Sequence, residues 1–161
     1  MKLHKNLFLS LVAFVSLLAG GFIASTTAEA ASTNIPTTKV KYKSVYKTAK
    51  KNLGKPYVYG ATGPSAFDCS GFTSYIYKKT AKVQIPRTAA AQYQAGKKVA
   101  YDKMKKGDLV FFGYSAYSIY HVGMYIGNGQ MIDAQNNGVV KEQILAPWWN
   151  YYGSARVANL K

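Results

Sequence analysis

Carboxylates are scarce in this chain. Six Asp and Glu stand against 21 Lys and Arg across 161 residues, a formal charge of +15, and that imbalance fits either an anionic partner or a strongly solvated surface that keeps the chain soluble, between which charge alone does not choose. Cysteine is scarcer still. Cys69 is alone, so no internal disulfide can form, and a solitary thiol in an exported domain is buried and inert, paired with another chain, or chemically employed. Histidine is limited to His4 and His121. Internal repeats and conventional metal-ligand spacings are both missing. The one long apolar run lies at the start of the chain, which leaves no further stretch to cross a bilayer.

What is present begins with MKLHKN, a short basic head, followed by LFLSLVAFVSLLAGGFIAS and the small-residue exit TTAEA. This is the pattern of a secretory signal peptide cleaved after Ala30. No cysteine follows the LAGG step, as a lipid anchor would need. The expected organisation is a signal peptide over residues 1–30, a flexible tether over 31–38 and one domain over 39–161. The mature chain of about 130 residues suffices for a single core. Export makes the expected location the cell wall or the medium, with no stable membrane insertion after cleavage and a monomeric mature chain. In that compartment anionic wall polymers or phospholipid headgroups are the expected anions, and nucleic acid is not.

From Lys39 onward, Tyr42, Val45, Tyr46, Ala49 and Leu53 recur at helical spacing, while Lys43, Lys47, Lys50 and Lys51 gather on another face. This predicts an amphipathic helix with a basic outer side, ended by Gly54 and Pro56. Its four lysines are candidate contacts for wall anions. KPYVYGATGPSAFD is rich in Gly and Pro and reads as an ordered surface loop. CSGFTSYIYKKTA returns to helical spacing through Cys69, Phe72, Tyr75, Ile76 and Lys79, with Asp68 as its cap. A brief helix over Ala89 to Ala95 follows IPRT. Then the period changes: DLVFF, HVGMYI, QMIDAQ, VVKEQI and SARVAN are short, β-branched or aromatic, and separated by Gly or Asn turns. Helices first and antiparallel strands later predict an α+β domain.

A cysteine on the first turn of a helix sits where unpaired amides and the helix dipole favour the thiolate, and Gly71 beside it leaves room for another chain to approach. The mature chain offers one base, His121. On its strand His121, Gly123 and Tyr125 point one way and Val122, Met124 and Ile126 the other, with Gly123 leaving a gap beside the ring for a ligand. If Gly127, Asn128 and Gly129 form a three-residue loop, Ile126 pairs with Gln130 and Gly123 opposes Asp133. Asp133 is then diagonal to His121, roughly 7 Å away at the backbone and within side-chain reach. Gln135 is the alternative orienting group. Cys69, His121 and Asp133 thus supply a nucleophile, a base and an orienter, the set that performs acyl transfer without metal or organic cofactor.

FDCSGF, IPRTAAAQ, KKGDLVFF and HVGMYIGNGQMIDA, in that order, closely resemble the NlpC/P60 cell-wall peptidases, over roughly Val40 to Leu160. The resemblance implies a papain-like α+β fold and thiol-dependent cleavage of peptidoglycan stem peptides, commonly between γ-D-glutamate and a diamino acid. By position it makes Cys69 the nucleophile and His121 the base. Tyr57 would line the site near the thiol and help hold the oxyanion, and Asp68 and Ser70 would lie beside the substrate's amine or backbone. The family's third residue is usually histidine, so Asp133 is a departure, read as a working variant. The rival readings are a catalytically inactive, cationic wall-binding protein, and a Cys-His amidase or antibacterial effector of the same fold.

Overall fold

A computed structural model of the protein describes residues 35–161; the expected signal peptide and residues 31–34 of the expected tether lie outside the described residues. Helix α1 spans Tyr42–Lys50 and buries Val45 and Ala49. Its lysines stay in solvent. The helix stops short of Leu53, which is 41% exposed instead of lying on the apolar face. The reason is local. The Asn52 and Leu53 amides bond back to Ala49 and Lys50 at 3.0 and 3.2 Å, i to i−3, and Gly54 takes φ +81. The tightened turn rotates Leu53 off the helical stripe.

Helix α2 spans Cys69–Ile76 and runs into a π-helical turn over Tyr77–Ala81. There the expected helical period breaks. Tyr77 is fully buried and its hydroxyl donates to the Gly107 carbonyl. Helix α3, Ala89–Ala95, falls where the sequence places it, capped by the Thr88 side chain.

The strands are β1 (Lys97–Val99), β2 (Leu109–Gly113), β3 (Ile119–Gly127), β4 (Gln130–Gln135), β5 (Gly138–Gln143) and β6 (Tyr151–Arg156). They form one antiparallel sheet in the order β1-β6-β2-β3-β4-β5. The α+β expectation therefore holds. Strand β1, only KKV and largely exposed, carries no apolar alternation by which it would be read. Strand β6 starts three residues earlier than SARVAN suggests, and the chain after it turns aside. Asn159 exchanges bonds with Pro36 and Thr38 at 3.0 and 3.2 Å, and Thr38 is buried. Residues 36–38 are thus fastened to the domain, and its edge lies a few residues before Lys39.

Central strand β2 is buried throughout because both sheet faces are covered. Leu109 and Phe111 join Val122, Met124, Ile132 and the helical Phe72 and Ile76 in the main core. Val110 and Phe112 join Met131 and Ile144, with Tyr125, Trp149 and Tyr151 against them, in a smaller core. At one end of the sheet Arg156 grips buried Asp108 through two bonds, 2.7 and 2.8 Å. The outer edge of β5 is covered at its start: Val139 donates to Lys55 and Gly54 donates to Val139, at 2.8 and 2.9 Å. Gly138, at φ +88, is needed there, because a Cβ would lie 2.6 Å from the Lys55 carbonyl oxygen.

The β3–β4 hairpin reaches the expected register by an unexpected route. Asn128 and Gly129 have φ of +54 and +68, a two-residue type I′ turn. Gly127, not Ile126, pairs with Gln130, and the register shifts between Tyr125 and Gly127. Ile126 is the extra residue of a bulge, and it restores the parity that a two-residue loop would have inverted. Gly123 therefore still opposes Asp133.

Candidate active site

Cys69 is the first residue of α2, and the cap that starts this helix is Asp68, whose Oδ1 accepts from the Gly71 amide at 2.6 Å. The loop before it folds back onto the helix: the Asp68 amide donates to Ala61 at 2.9 Å. Gly71 makes that possible, since a Cβ there would stand 2.1 Å from the Ala61 carbonyl oxygen. The chain that approaches Gly71 is thus the protein's own loop.

His121 and Asp133 meet across β3 and β4. His121 Nε2 and Asp133 Oδ2 are 2.7 Å apart, both side chains buried. Cys69 lies near enough to the same imidazole to act on its charge, and with Nε2 held by Asp133 its Nδ1 is the atom that remains for the sulfur. Burial alone would drive the imidazolium to deprotonate. The bond to Asp133 and the nearness of Cys69 outweigh it and lift His121 from 6.5 to about 9. The Trp149 ring lies flat on the imidazole, 4.3 Å between centroids and 12° from parallel, which shields the ring from water and favours its charged form. The structure thus brings Cys69, His121 and Asp133 together as the sequence suggests. Gln135, the alternative orienter, instead donates to Glu142 at 3.1 Å.

Gly123 has a different use from the one expected. A Cβ there would meet Met131 Sδ at 2.6 Å and Asp133 Cβ at 3.1 Å, so the missing side chain makes room for the orienting aspartate, not for a ligand.

Two hollows flank the triad. One, about 480 Å3, is lined by Tyr57, Tyr59, Asp68, Cys69, Ser70 and Arg87 among others. The second, about 310 Å3, has walls of His121, Gln135, Asn136, Trp148 and Trp149. Tyr57 and Tyr120 line both, so the thiol and the imidazole open into two arms of one cleft. A larger hollow of about 640 Å3 lies elsewhere, between Thr62, Tyr75, Lys78, Lys79, Lys82 and Gln84, and holds neither nucleophile nor base. Tyr57 is half-buried. Burial, then the negative charges of Cys69 and Asp68, raise its hydroxyl above the ordinary tyrosine value, so it remains a proton donor facing the cleft.

Asp68 and Ser70 line the cleft but are already engaged. Asp68 accepts from Gly71, from the Gly60 amide at 2.9 Å and from both terminal nitrogens of Arg87. Ser70 Oγ accepts from Arg87 at 3.0 Å. Burial pushes the Asp68 carboxyl up, but its bonds to Arg87 and Gly71 outweigh this and hold it below the usual carboxylate range. Arg87 escaped the sequence reading, although it and Arg156 are the chain's only arginines and both grip aspartates. In a lysine-dominated chain, arginine marks sites that need a planar two-pronged donor. Trp149 and Tyr120 were missed too, with no periodic signal to single them out. The lysines Lys43, Lys47, Lys50 and Lys51 are exposed, at α1, and line neither arm of the cleft.

The NlpC/P60 family profile matches residues 54–156, the span that contains every triad residue and both arms of the cleft. The chain belongs to the NlpC/P60 family. It is 50% identical over 104 residues to a "Probable endopeptidase p60" of Listeria welshimeri, covering 65% of this chain and 20% of that protein. It is 40% identical over 111 residues to the "Bifunctional muramidase/DL-endopeptidase CwlT" of Bacillus subtilis, 67% of this chain and 33% of that one. Among solved structures it is similar to the NlpC/p60 domain of the peptidoglycan hydrolase SagA, with 34% identity, a TM-score of 0.66, and coverage of 73% of this chain and 99% of that one. The chain thus spans about a fifth to a third of the length of those two curated relatives, and the part shared is the NlpC/P60 domain.

Proposed function

We propose that this NlpC/P60 protein is a secreted cysteine endopeptidase that hydrolyses peptidoglycan stem peptides, at the bond between γ-D-glutamate and the diamino acid. One observation carries the reading: the only thiol in the chain and a buried Asp-His pair open together onto a two-armed cleft. The endopeptidase names of the Listeria and Bacillus relatives and the peptidoglycan hydrolase name of SagA support it. The leader-like opening residues, and a charge of +15 suited to anionic wall polymers, support a place in the cell wall or the medium.

In the reaction His121 holds the proton of the Cys69 thiol, and the sulfur attacks the carbonyl carbon. The Gly71 and Phe72 amides are taken by Asp68. That leaves the amides of Cys69 and Ser70, with the Tyr57 hydroxyl, to meet the oxyanion. Each such donor typically contributes about 3 kcal/mol. The C–N bond breaks as His121 passes its proton to the departing amine, which leaves through the arm that His121 lines. Water then attacks the thioester, His121 takes its proton and returns it to the sulfur, and the acid is released. Asp133 keeps the imidazole oriented throughout.

The decisive experiment incubates purified peptidoglycan with the wild type and with Cys69→Ala, and follows new amino termini and muropeptide masses. Loss of release in the variant, with products ending at γ-D-glutamate in the wild type, is expected. Equal release by the variant would remove Cys69 from the chemistry, and retention on walls without any cleavage by the wild type would favour a wall-binding protein.

A further inference from the structure

Asp133 Oδ1 and Trp149 Nε1 are the two buried side-chain polar atoms without a hydrogen-bond partner among the described residues. An acceptor and a donor left bare in one core are costly. The group nearest to hand for both is the carboxyl of Glu142, diagonal to Asp133 across the β4–β5 ladder and bonded to Trp148, the neighbour of Trp149. The sheet register explains why. Strands β4 and β5 pair Met131 with Glu142 and Asp133 with Val140, so Glu142 and Asp133 are diagonal neighbours on one face. Glu142 is half-buried and is already held by Gln135 Nε2 on Oε1 at 3.1 Å and by Trp148 Nε1 on Oε2 at 3.3 Å.

We propose that Glu142 is a positioning residue of the triad, present as the neutral acid, whose proton serves Oδ1 of Asp133 and so fixes the carboxylate that orients His121. A neutral carboxyl satisfies what surrounds it: its O–H suits the bare Asp133 oxygen, and its lone pairs suit the indole and amide donors. An ionised one would set two carboxylates side by side in a core, which their repulsion disfavours. The groups facing Glu142 are Asp133 and Gln135 from β4 and Trp148 and Trp149 from the segment after β5, while Lys141 beside it on β5 is exposed. Among these, burial and the Asp133 charge act to keep the proton on Glu142, against the pull of the two indoles. The inference rests on the peptidase reading for its rate effects but not for its titration effects.

The test uses the full chain as wild type, Glu142→Ala and Glu142→Gln. NMR follows the His121 imidazole and the Glu142 carboxyl with pH, and kcat and KM are measured on a stem peptide. Removing a neutral donor concentrates charge on Asp133, so the His121 midpoint in Glu142→Ala moves up. Its kcat falls about tenfold with little change in KM, the scale of one lost hydrogen bond. The amide of Glu142→Gln still donates, restores most of the lost kcat and returns the midpoint towards that of the wild type. A midpoint that falls or stays put in Glu142→Ala overturns the proposal, since loss of an ionised carboxylate would lower it. So does an unchanged kcat. Should Glu142→Ala not fold, the wild-type carboxyl decides: titration above the ordinary glutamate range supports the assignment, and titration within it refutes it. If the wild type cleaves nothing, the peptidase reading fails while the titrations still judge Glu142.

Discussion

His121 concentrates the residue-scale physics of the site. Its imidazolium is stabilised in the folded chain, from 6.5 to about 9, so protonation favours folding. The stability it contributes is fully present below pH 6.5 and is lost as pH rises through about 9. The proton that the departing amine needs disappears over the same upper range, so kcat/KM on a stem peptide should fall on the alkaline side with a midpoint near 9. Asp133→Asn removes the countercharge and should draw that midpoint down towards the ordinary histidine value, with a lower kcat. A limb that does not move in Asp133→Asn would mean that Asp133 does not govern the ring. Gly123→Ala tests the same pair sterically. The added methyl would press on Met131 Sδ, 2.6 Å away, and on Asp133 Cβ, and overpacking of this kind costs about 1–3 kcal/mol. Thermal unfolding should record that loss, and kcat should drop with it because the displaced side chain is the orienter.

At the scale of elements, the active site depends on α2 being held against its neighbours, and a side chain that carries no chemistry does much of the holding. Gln92 of α3 is fully buried. Its amide nitrogen donates to the Ser70 carbonyl, the Ser74 hydroxyl and the Pro86 carbonyl at 3.0, 3.0 and 2.8 Å, and its oxygen accepts from Thr73 at 2.8 Å. Gln92→Leu removes the shared partner of this cluster, leaving the Ser70 and Pro86 carbonyls with only the Thr73 and Ser74 hydroxyls as side-chain donors, and should destabilise the domain by about 1–3 kcal/mol, measured as a lower denaturant midpoint at unchanged m-value. An unaltered midpoint would mean that the polar cluster contributes nothing net. The sequence announced α3, yet it did not announce Gln92, because one polar residue in AAAQYQA has no period that tells burial from exposure. The same limit runs through the fold. Cys69, Asp68 and His121 were legible because rare residues sat at a helix start and on an apolar strand. Asp133 was legible through register, although a turn-plus-bulge replaced the longer loop, since period 2 reports parity and not how parity is kept. Trp149 and Arg87 reach the site from irregular segments, where position comes from tertiary packing alone.

For the molecule as a whole, the feature that the catalytic chemistry leaves unexplained is charge. Of the carboxylates in the described residues, Asp68, Asp102, Asp108 and Asp133 each have a cationic or imidazole partner within the chain, and Glu142 bonds to Gln135 and Trp148. No carboxylate ion-pairs with Lys43, Lys47, Lys50 or Lys51 among those residues, although the Lys50 ammonium does lie 5.0 Å over the Tyr46 ring. A cationic surface without internal compensation attracts an extended anion, and the attraction is long-range and screened by salt over about 10 Å at 0.1 M ionic strength. Replacing the four lysines by glutamine should therefore weaken retention on purified walls in low salt, and the difference from the wild type should shrink as salt is raised. Sedimentation of protein with walls across a salt series measures this. Cleavage of soluble muropeptides provides the contrast: the quadruple variant should lose more activity on whole walls than on soluble fragments, because only the wall presents a polyanion. Equal retention of variant and wild type at every salt concentration would show that α1 is not the docking face, and the remaining charge would have to act through the surface at large.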